Sequence, residues 1–166
     1  TMDLMLARSL QLTIGARGIP VSAYSINTGE QVHNIYLERS ANKWPLMPEN
    51  YSFFVLDNHQ PILYRLRRDM IDLGGDFKLY DAAGNIVAFL DGKVFSLGGK
   101  WRCRILRDHA DPRLLHVLKL FCAKEVFARD VRNHLKALWR GVRSGRIIPK
   151  IDRQEADLYM NPRRMR

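Results

Sequence analysis

A repeat with a period of 24 residues is the feature that most restricts how this chain can fold. In the 23 positions from 53 to 75, seven residues are identical to the residue 24 positions later. These seven are Phe53, Asp57, Ile62, Leu66, Leu73, Gly74 and Gly75. Each unit predicts a strand, a turn that starts with aspartate, a second strand and a paired-glycine turn into the next unit. Any meander of equal hairpins shows some self-similarity, but here the register holds over the whole unit, which favours an antiparallel meander.

Further strands are predicted nearer the amino terminus. Apolar and polar residues alternate through Leu10, Leu12 and Ile14, and again around Ile35 and Leu37. Alternation of this kind is typical of strands with one buried face. Residues 40–50 contain two prolines and are interpreted as a long connection. We therefore expect strands and turns through about residue 107, without a helix in that part of the chain.

A helix is predicted immediately after the strands. Asp111 followed by Pro112 is a strong helix start, since aspartate caps the first turn and proline suits the first helical position. The residues from Leu114 to Phe127 are apolar on nearly all sides of such a helix, and His116 and Lys119 are expected to reach the surface toward one mouth of the sheet. A helix that is apolar all round is buried all round. After a β meander, we expect it to lie inside a curled sheet.

The segment from Leu79 to Leu106 resembles the repeat unit of the LURP-one-related proteins, which belong with the phospholipid scramblases to the tubby-like superfamily. The residues that carry the resemblance are Asp81, Gly84, Lys93, Gly98, Trp101, Asp111 and the apolar helix from Leu114 to Val126. The resemblance implies a mainly β fold with helix: an antiparallel tubby-like barrel, complete or incomplete, around a hydrophobic carboxy-terminal helix. The strand region is short for a complete barrel of this type. Scramblase features such as a cysteine cluster and a terminal membrane anchor are absent, so we do not transfer lipid scrambling.

The carboxy-terminal part of the chain carries most of the positive charge. Residues 128–166 contain eleven basic and four acidic residues, while the whole chain has a net charge of +10. We therefore divide the chain into a barrel domain, 1–127, and a segment, 128–166, made of a basic amphipathic helix and an extended arm. The candidate residues for an anionic partner are Arg129, Arg132, Lys136, Arg140, Arg143 and Arg146. The first five are three or four positions apart and share an arc of about 80° on a helix.

Three interpretations of this basic segment remain open. The first is a non-enzymatic binding or scaffold module at an anionic membrane surface, since tubby-like domains include phosphoinositide binders. The second is an accessory structural subunit of a large assembly that contains RNA, as a ribosome does, because arginine outnumbers lysine nine to two after residue 127. In this second interpretation, an acidic protein surface of such an assembly would attract the same charges as RNA. The third is a solvated helix face without a partner.

An enzyme is the function class that the sequence favours least. The chain lacks the GxSxG, Walker, HExxH and CxxC motifs, and its five histidines are scattered. We expect no catalytic residues, no cofactor and no metal. The two cysteines, Cys103 and Cys122, are predicted to be reduced thiols. The longest apolar stretch is about half of the roughly 20 residues that a membrane-spanning helix needs. No signal peptide is apparent, and we expect an intracellular setting: cytoplasmic, at a membrane surface, or in an organelle if a leader was removed.

Overall fold

The structure, a computed structural model, describes residues 1–29, 34–40, 49–58, 60–69, 76–92 and 100–149. Eight strands form one antiparallel sheet in which the order across the sheet is the order along the chain. The strands are β1 (Met2–Leu4), β2 (Ala23–Ile26), β3 (Ile35–Arg39), β4 (Asn50–Asp57), β5 (Gln60–Arg68), β6 (Phe77–Tyr80), β7 (Ile86–Gly92) and β8 (Trp101–Ile105). The helices are α1 (Leu6–Gly15), α2 (Pro112–Glu125) and α3 (Ala128–Arg143), with a 3₁₀ turn at Arg107–His109 before α2.

The 24-residue repeat corresponds to two consecutive hairpins, β4–β5 and β6–β7, which confirms the predicted meander. The equivalent Phe53 and Phe77 are both buried, because each occupies the same inward position in its hairpin. At the second turn, the Asp81 carboxylate accepts a hydrogen bond from the backbone N–H of Asn85 at 2.8 Å, as expected for an aspartate-started turn. The paired glycines at 74–75 and 98–99 lie outside the described residues.

The predicted strand through Leu10, Leu12 and Ile14 is wrong, because these residues lie in α1. The buried residues of α1 are Ser9 and Thr13, which the alternating pattern placed on the solvent side. The Ser9 hydroxyl accepts a hydrogen bond from the backbone of Ala23 at 2.9 Å, and the Thr13 hydroxyl accepts one from the backbone of Val21 at 3.1 Å. These two hydroxyls satisfy backbone groups beside the start of β2, so the polar side of the helix is the buried side.

The core lies between the inward side chains of the sheet and one side of α2. Phe121 contacts the ring of Tyr51 at 5.1 Å and that of Phe77 at 4.9 Å, while Lys124 of the same helix lies over Tyr24 of β2. The helix also contacts β8. A flat sheet would separate β2 from β8 by about 29 Å, at about 4.8 Å per strand, which exceeds the roughly 21 Å length of α2. The sheet must therefore curve around the helix.

The expectation that α2 is buried on all sides is wrong. Leu114, Val117, Leu118 and Phe121 are fully buried, but an opposite stripe is exposed: Pro112, Lys119, Ala123 and Val126. The physical reason is that the sheet is open, since β1 and β8 do not pair with each other in the part of the chain that the structure describes. The helix starts as predicted, because the Asp111 carboxylate accepts a hydrogen bond from the backbone N–H of Arg113 at 2.8 Å. The coarser prediction, a mainly antiparallel β fold followed by a helix, is confirmed.

Candidate functional site

Helix α3 carries five of the six candidate anion-binding residues, with Arg146 just beyond its end, and its charge pattern favours helix formation. Asp130 lies in the first turn and Arg140 and Arg143 lie in the last, which is the arrangement that the helix dipole stabilises. The helix ends at Ser144, and Gly145 follows with a φ of +71°. The chain then turns back so that Ile147 packs on Gly141, where a side chain would leave no room for it. Residues 150–166, the rest of the predicted arm, lie outside the described residues.

The apolar side of α3 packs on the rest of the protein. Leu135 is fully buried and Ala128 nearly so, and the helix contacts both α1 and α2. The indole ring of Trp139 lies against Gly18, just after α1, where φ is +90° and a Cβ would overlap the ring. Because this side of α3 is already used within the molecule, the helix cannot insert the same side into a membrane.

The structure divides the six candidate residues into two groups. Five are exposed: Arg129, Lys136, Arg140, Arg143 and Arg146. The guanidinium of Arg140 donates to the backbone carbonyl of Lys136 at 3.4 Å, and that of Arg146 donates to the Ser144 hydroxyl at 3.0 Å; within the described residues, neither forms an ion pair. We call these five residues the basic face. The sixth, Arg132, is half-buried and differs from the others in its contacts.

Arg132 forms an ion pair with Glu49 at 2.5 Å, a contact that joins α3 to the residue preceding β4. The Glu49 side chain is 8% exposed. The carboxylate oxygen that contacts Arg132 also accepts a hydrogen bond from the guanidinium of Arg39 at 3.1 Å. Arg39 also donates to the backbone carbonyl of Pro20. On a helical wheel, Arg132 is the basic residue closest to Leu135, which explains why it turns inward while its neighbours stay in solvent. Arg132 thus shares the single negative charge of Glu49 with Arg39.

Beside this ion pair lies Lys124, a buried lysine that the sequence analysis did not single out. Its ammonium group lies 3.8 Å from the ring centre of Tyr51 and 4.5 Å from that of Phe121, and it pairs with the Glu125 carboxylate. Burial lowers the pKa of Lys124, and the neighbouring Glu125 opposes that change. Cation–π contact with several rings partly replaces the hydration that burial removes. The spacing offered a signal, because Lys124 follows Val117 and Phe121 at helical intervals on the buried stripe.

Burial also raises the pKa of the hydroxyl of Tyr51 and the thiol of Cys122, the latter to about 12. Cys122 is buried and Cys103 is half-buried, and both are free thiols, as predicted. A thiol with a raised pKa is a poor nucleophile at neutral pH. Lys124 and Glu49 are thus buried charges that are paired within the molecule.

A groove of about 910 Å³ runs between α1 and the end of β3. Its cationic side chains include Arg8, Arg17 and Arg39, and Leu12 contributes to its apolar lining. Arg8 pairs with Glu38 at 3.3 Å, and Arg39 is held by Glu49. Since two of these three arginines are already paired, the groove offers less positive charge to a ligand than the basic face of α3.

The described residues offer neither a metal site nor a membrane-spanning helix. They contain no group of three histidine, cysteine or acidic side chains placed to hold a metal ion. Within the same ranges, none of the helices has the length and apolar character needed to cross a membrane. Comparison with known proteins finds no matching family model, no similar curated protein and no similar solved structure.

Proposed function

We propose that this protein is a non-enzymatic binding module that attaches to an anionic surface through the basic face of α3. The observation that carries the proposal is a separation of roles: Arg132 is held in an ion pair with Glu49, whereas the five residues of the basic face, four on α3 and Arg146 just beyond its end, are exposed. Several exposed cations on one side of a rigid helix can contact several phosphates at once, which a single surface charge cannot do.

The surface we favour is a membrane containing anionic phospholipids. The resemblance to the LURP-one-related and scramblase families supports it, since tubby-like domains include phosphoinositide binders. Leu135 and Trp139 pack within the protein, so attachment would use headgroup charge without insertion of the helix. Juxtamembrane bases contribute about 1 kcal/mol each near such a surface, so five of them suffice for reversible attachment that is sensitive to salt.

The second candidate is an accessory subunit of an RNA-containing assembly. The packed apolar side of α3 favours it too, because a helix that contacts RNA phosphates needs only its basic side exposed. Four of the five residues on the basic face are arginines, whose planar guanidinium groups bind phosphate through paired hydrogen bonds. The two candidates share phosphate recognition and differ in what carries the phosphate.

Neutralisation of the basic face tests the proposal. The triple variant Lys136→Gln, Arg140→Gln and Arg143→Gln removes three charges and leaves the buried side of α3 intact. The control Arg17→Gln, Arg107→Gln and Lys119→Gln removes three exposed charges elsewhere. We expect the first variant to lose about tenfold or more in affinity for vesicles of phosphatidylcholine with phosphatidylserine, with the control unchanged.

Co-sedimentation with vesicles and gel shifts with RNA, run on the same proteins, separate the candidates. Loss of vesicle binding alone supports the membrane, and loss of RNA binding alone supports the assembly. Equal losses in the α3 variant and the control would show that only net charge matters. Unchanged binding to both probes would mean that the basic face is a solvated surface, and the proposal would fail.

A further inference from the structure

The outward face of β5–β8, opposite α2, carries a second basic surface that alternates with aromatic rings. The strand register places Arg67, Lys78, Phe89 and Arg104 in one row across four strands, each opposite the next. A second row pairs Arg65 with Tyr80. We call these six residues the sheet face.

Aromatic rings and guanidinium groups on the sheet face contact each other. The guanidinium carbon of Arg67 lies 5.0 Å from the ring centre of Tyr80, and that of Arg104 lies 4.9 Å from the ring centre of Phe89. The arginines are exposed, while both rings are half-buried by their neighbours in the sheet. In each pair, the planar guanidinium group therefore lies over an aromatic ring and is the more exposed of the two.

Three carboxylates lie at one end of the sheet face, in a pocket that they share with Lys78, Phe89 and Arg104. Asp69 pairs with Lys78 at 2.7 Å, Asp76 accepts from the backbone of Gly92 at 2.8 Å, and Asp91 lies opposite Arg102 in the ladder. From β4 to β8, the register of the described strands places no acidic residue in the rows of Arg65, Arg67 and Arg104; on β3, Glu38 follows Ser52 in the row of Arg65. A polyanion placed along these rows would therefore meet the exposed guanidinium groups of Arg65, Arg67 and Arg104, while the ammonium group of Lys78 is already paired with Asp69.

We propose that the sheet face binds single-stranded RNA. Its arginines contact phosphates, and the rings with their supported guanidinium groups stack unpaired bases, which is the combination that single-stranded nucleic acids require. Arg67 on β5 and Arg104 on β8 are three strand spacings apart, about 14 Å at about 4.8 Å each, so the two supported cations can meet two non-adjacent bases of an extended strand. A membrane would use the charges but gains nothing from rings that are half-buried beneath them. This site is separate from α3 and does not rest on the function proposed for that helix.

Fluorescence anisotropy with a labelled oligouridine of about twelve nucleotides, long enough to span the sheet face, tests the proposal. The variant Arg67→Gln with Arg104→Gln should weaken binding about tenfold or more. It should also lower the slope of log affinity against log salt by about 0.7 for each phosphate that is no longer neutralised. The matched control, Arg17→Gln with Lys119→Gln, removes the same charge from other surfaces and should leave affinity within about twofold.

A separate variant tests stacking without a change of charge. Phe89→Leu should weaken binding about fivefold or more with an unchanged salt slope, because it removes a π surface and no cation. Phe127→Leu, which alters an aromatic side chain exposed between α2 and α3, should not change the affinity. Circular dichroism of each variant confirms that the sheet is intact.

The proposal is overturned by any of three results. The first is that the wild-type protein does not bind the oligonucleotide. The second is that the variant at Arg67 and Arg104 binds as tightly as the control at Arg17 and Lys119. The third is that Phe89→Leu leaves the affinity unchanged although the arginine variant lowers it. In the third case, the sheet face binds phosphate without stacking bases. Binding to vesicles that contain phosphatidylserine, measured in place of oligouridine, would then identify an anionic membrane as the partner.

Discussion

The ion pair between Arg132 and Glu49 distinguishes a structural arginine from the neighbouring α3 residues that are proposed to bind an anionic partner. Glu49 is 8% exposed and holds Arg39 at 3.1 Å and Arg132 at 2.5 Å. Loss of one partner from a buried pair costs about 3–5 kcal/mol, because the remaining charge is left without compensation. Arg132→Gln should cost less, about 1–3 kcal/mol, since Arg39 still neutralises Glu49. Glu49→Gln should cost about 3–5 kcal/mol, since it deprives both arginines of their acceptor.

Urea denaturation of Arg132→Gln, Glu49→Gln and the double variant measures these costs and the coupling between the two residues. We expect a coupling energy of about 1–2 kcal/mol. Lys136→Gln, one turn along the same helix and exposed, is the matched control and should stay within about 0.5 kcal/mol of the wild type. Affinity for the anionic partner should show the opposite order, with the larger loss in Lys136→Gln. If Arg132→Gln destabilises no more than the control, or if the coupling is zero, this assignment of roles is refuted.

Three further predictions concern the core and the helix contacts. Leu118→Ala should lower the free energy of unfolding by about 2–5 kcal/mol, because loss of a fully buried side chain leaves a cavity. Leu115→Ala, on the partly exposed side of α2, should lower it clearly less. Equal losses in urea denaturation would contradict the packing of α2. As the pH rises to about 10.5, the free energy of unfolding of the wild type should increase relative to that of Lys124→Met. Burial lowers the pKa of Lys124, so in this range the folded protein has released a proton that the unfolded chain still holds. A difference that does not change with pH would show that this ammonium group is hydrated. Gly18→Ala should lower the Tm more than Gly29→Ala does. Both glycines have positive φ, but only a Cβ at residue 18 would overlap the indole ring of Trp139. Equal shifts in Tm would contradict the contact between Gly18 and Trp139.

Local patterns in the chain were sufficient to predict the meander and the start of α2. The match of Phe53 with Phe77 follows from a hairpin built twice with the same inward positions, and strand alternation depends only on neighbouring residues. The Asp111 cap is equally local, since its carboxylate bonds a backbone group two residues away. The exposed bases of α3 also follow from helical periodicity.

The failures have a common cause, which is that burial depends on what the rest of the chain places nearby. Ser9 and Thr13 are polar, and they are buried only because the backbone at Val21 and Ala23 lies within reach of their hydroxyls. Helix α2 is apolar on nearly all sides, but the open sheet covers only part of it. In both cases, composition describes the side chain and says nothing about its neighbours.

The roles of the charged residues were decided in the same way. Arg132 and Lys136 look alike in the sequence, yet only Arg132 reaches Glu49, a residue 83 positions away in the segment interpreted as a connection. Arg67 and Arg104, which lie on different strands, become part of one surface only through the pairing of β5 with β6, β7 and β8. Local patterns were enough to predict the repeated hairpins, the start of α2 and the surplus of positive charge, but not α1. The tertiary structure decided which charges are neutralised and which share a surface, because electrostatic pairing depends on distances in space that no local pattern encodes.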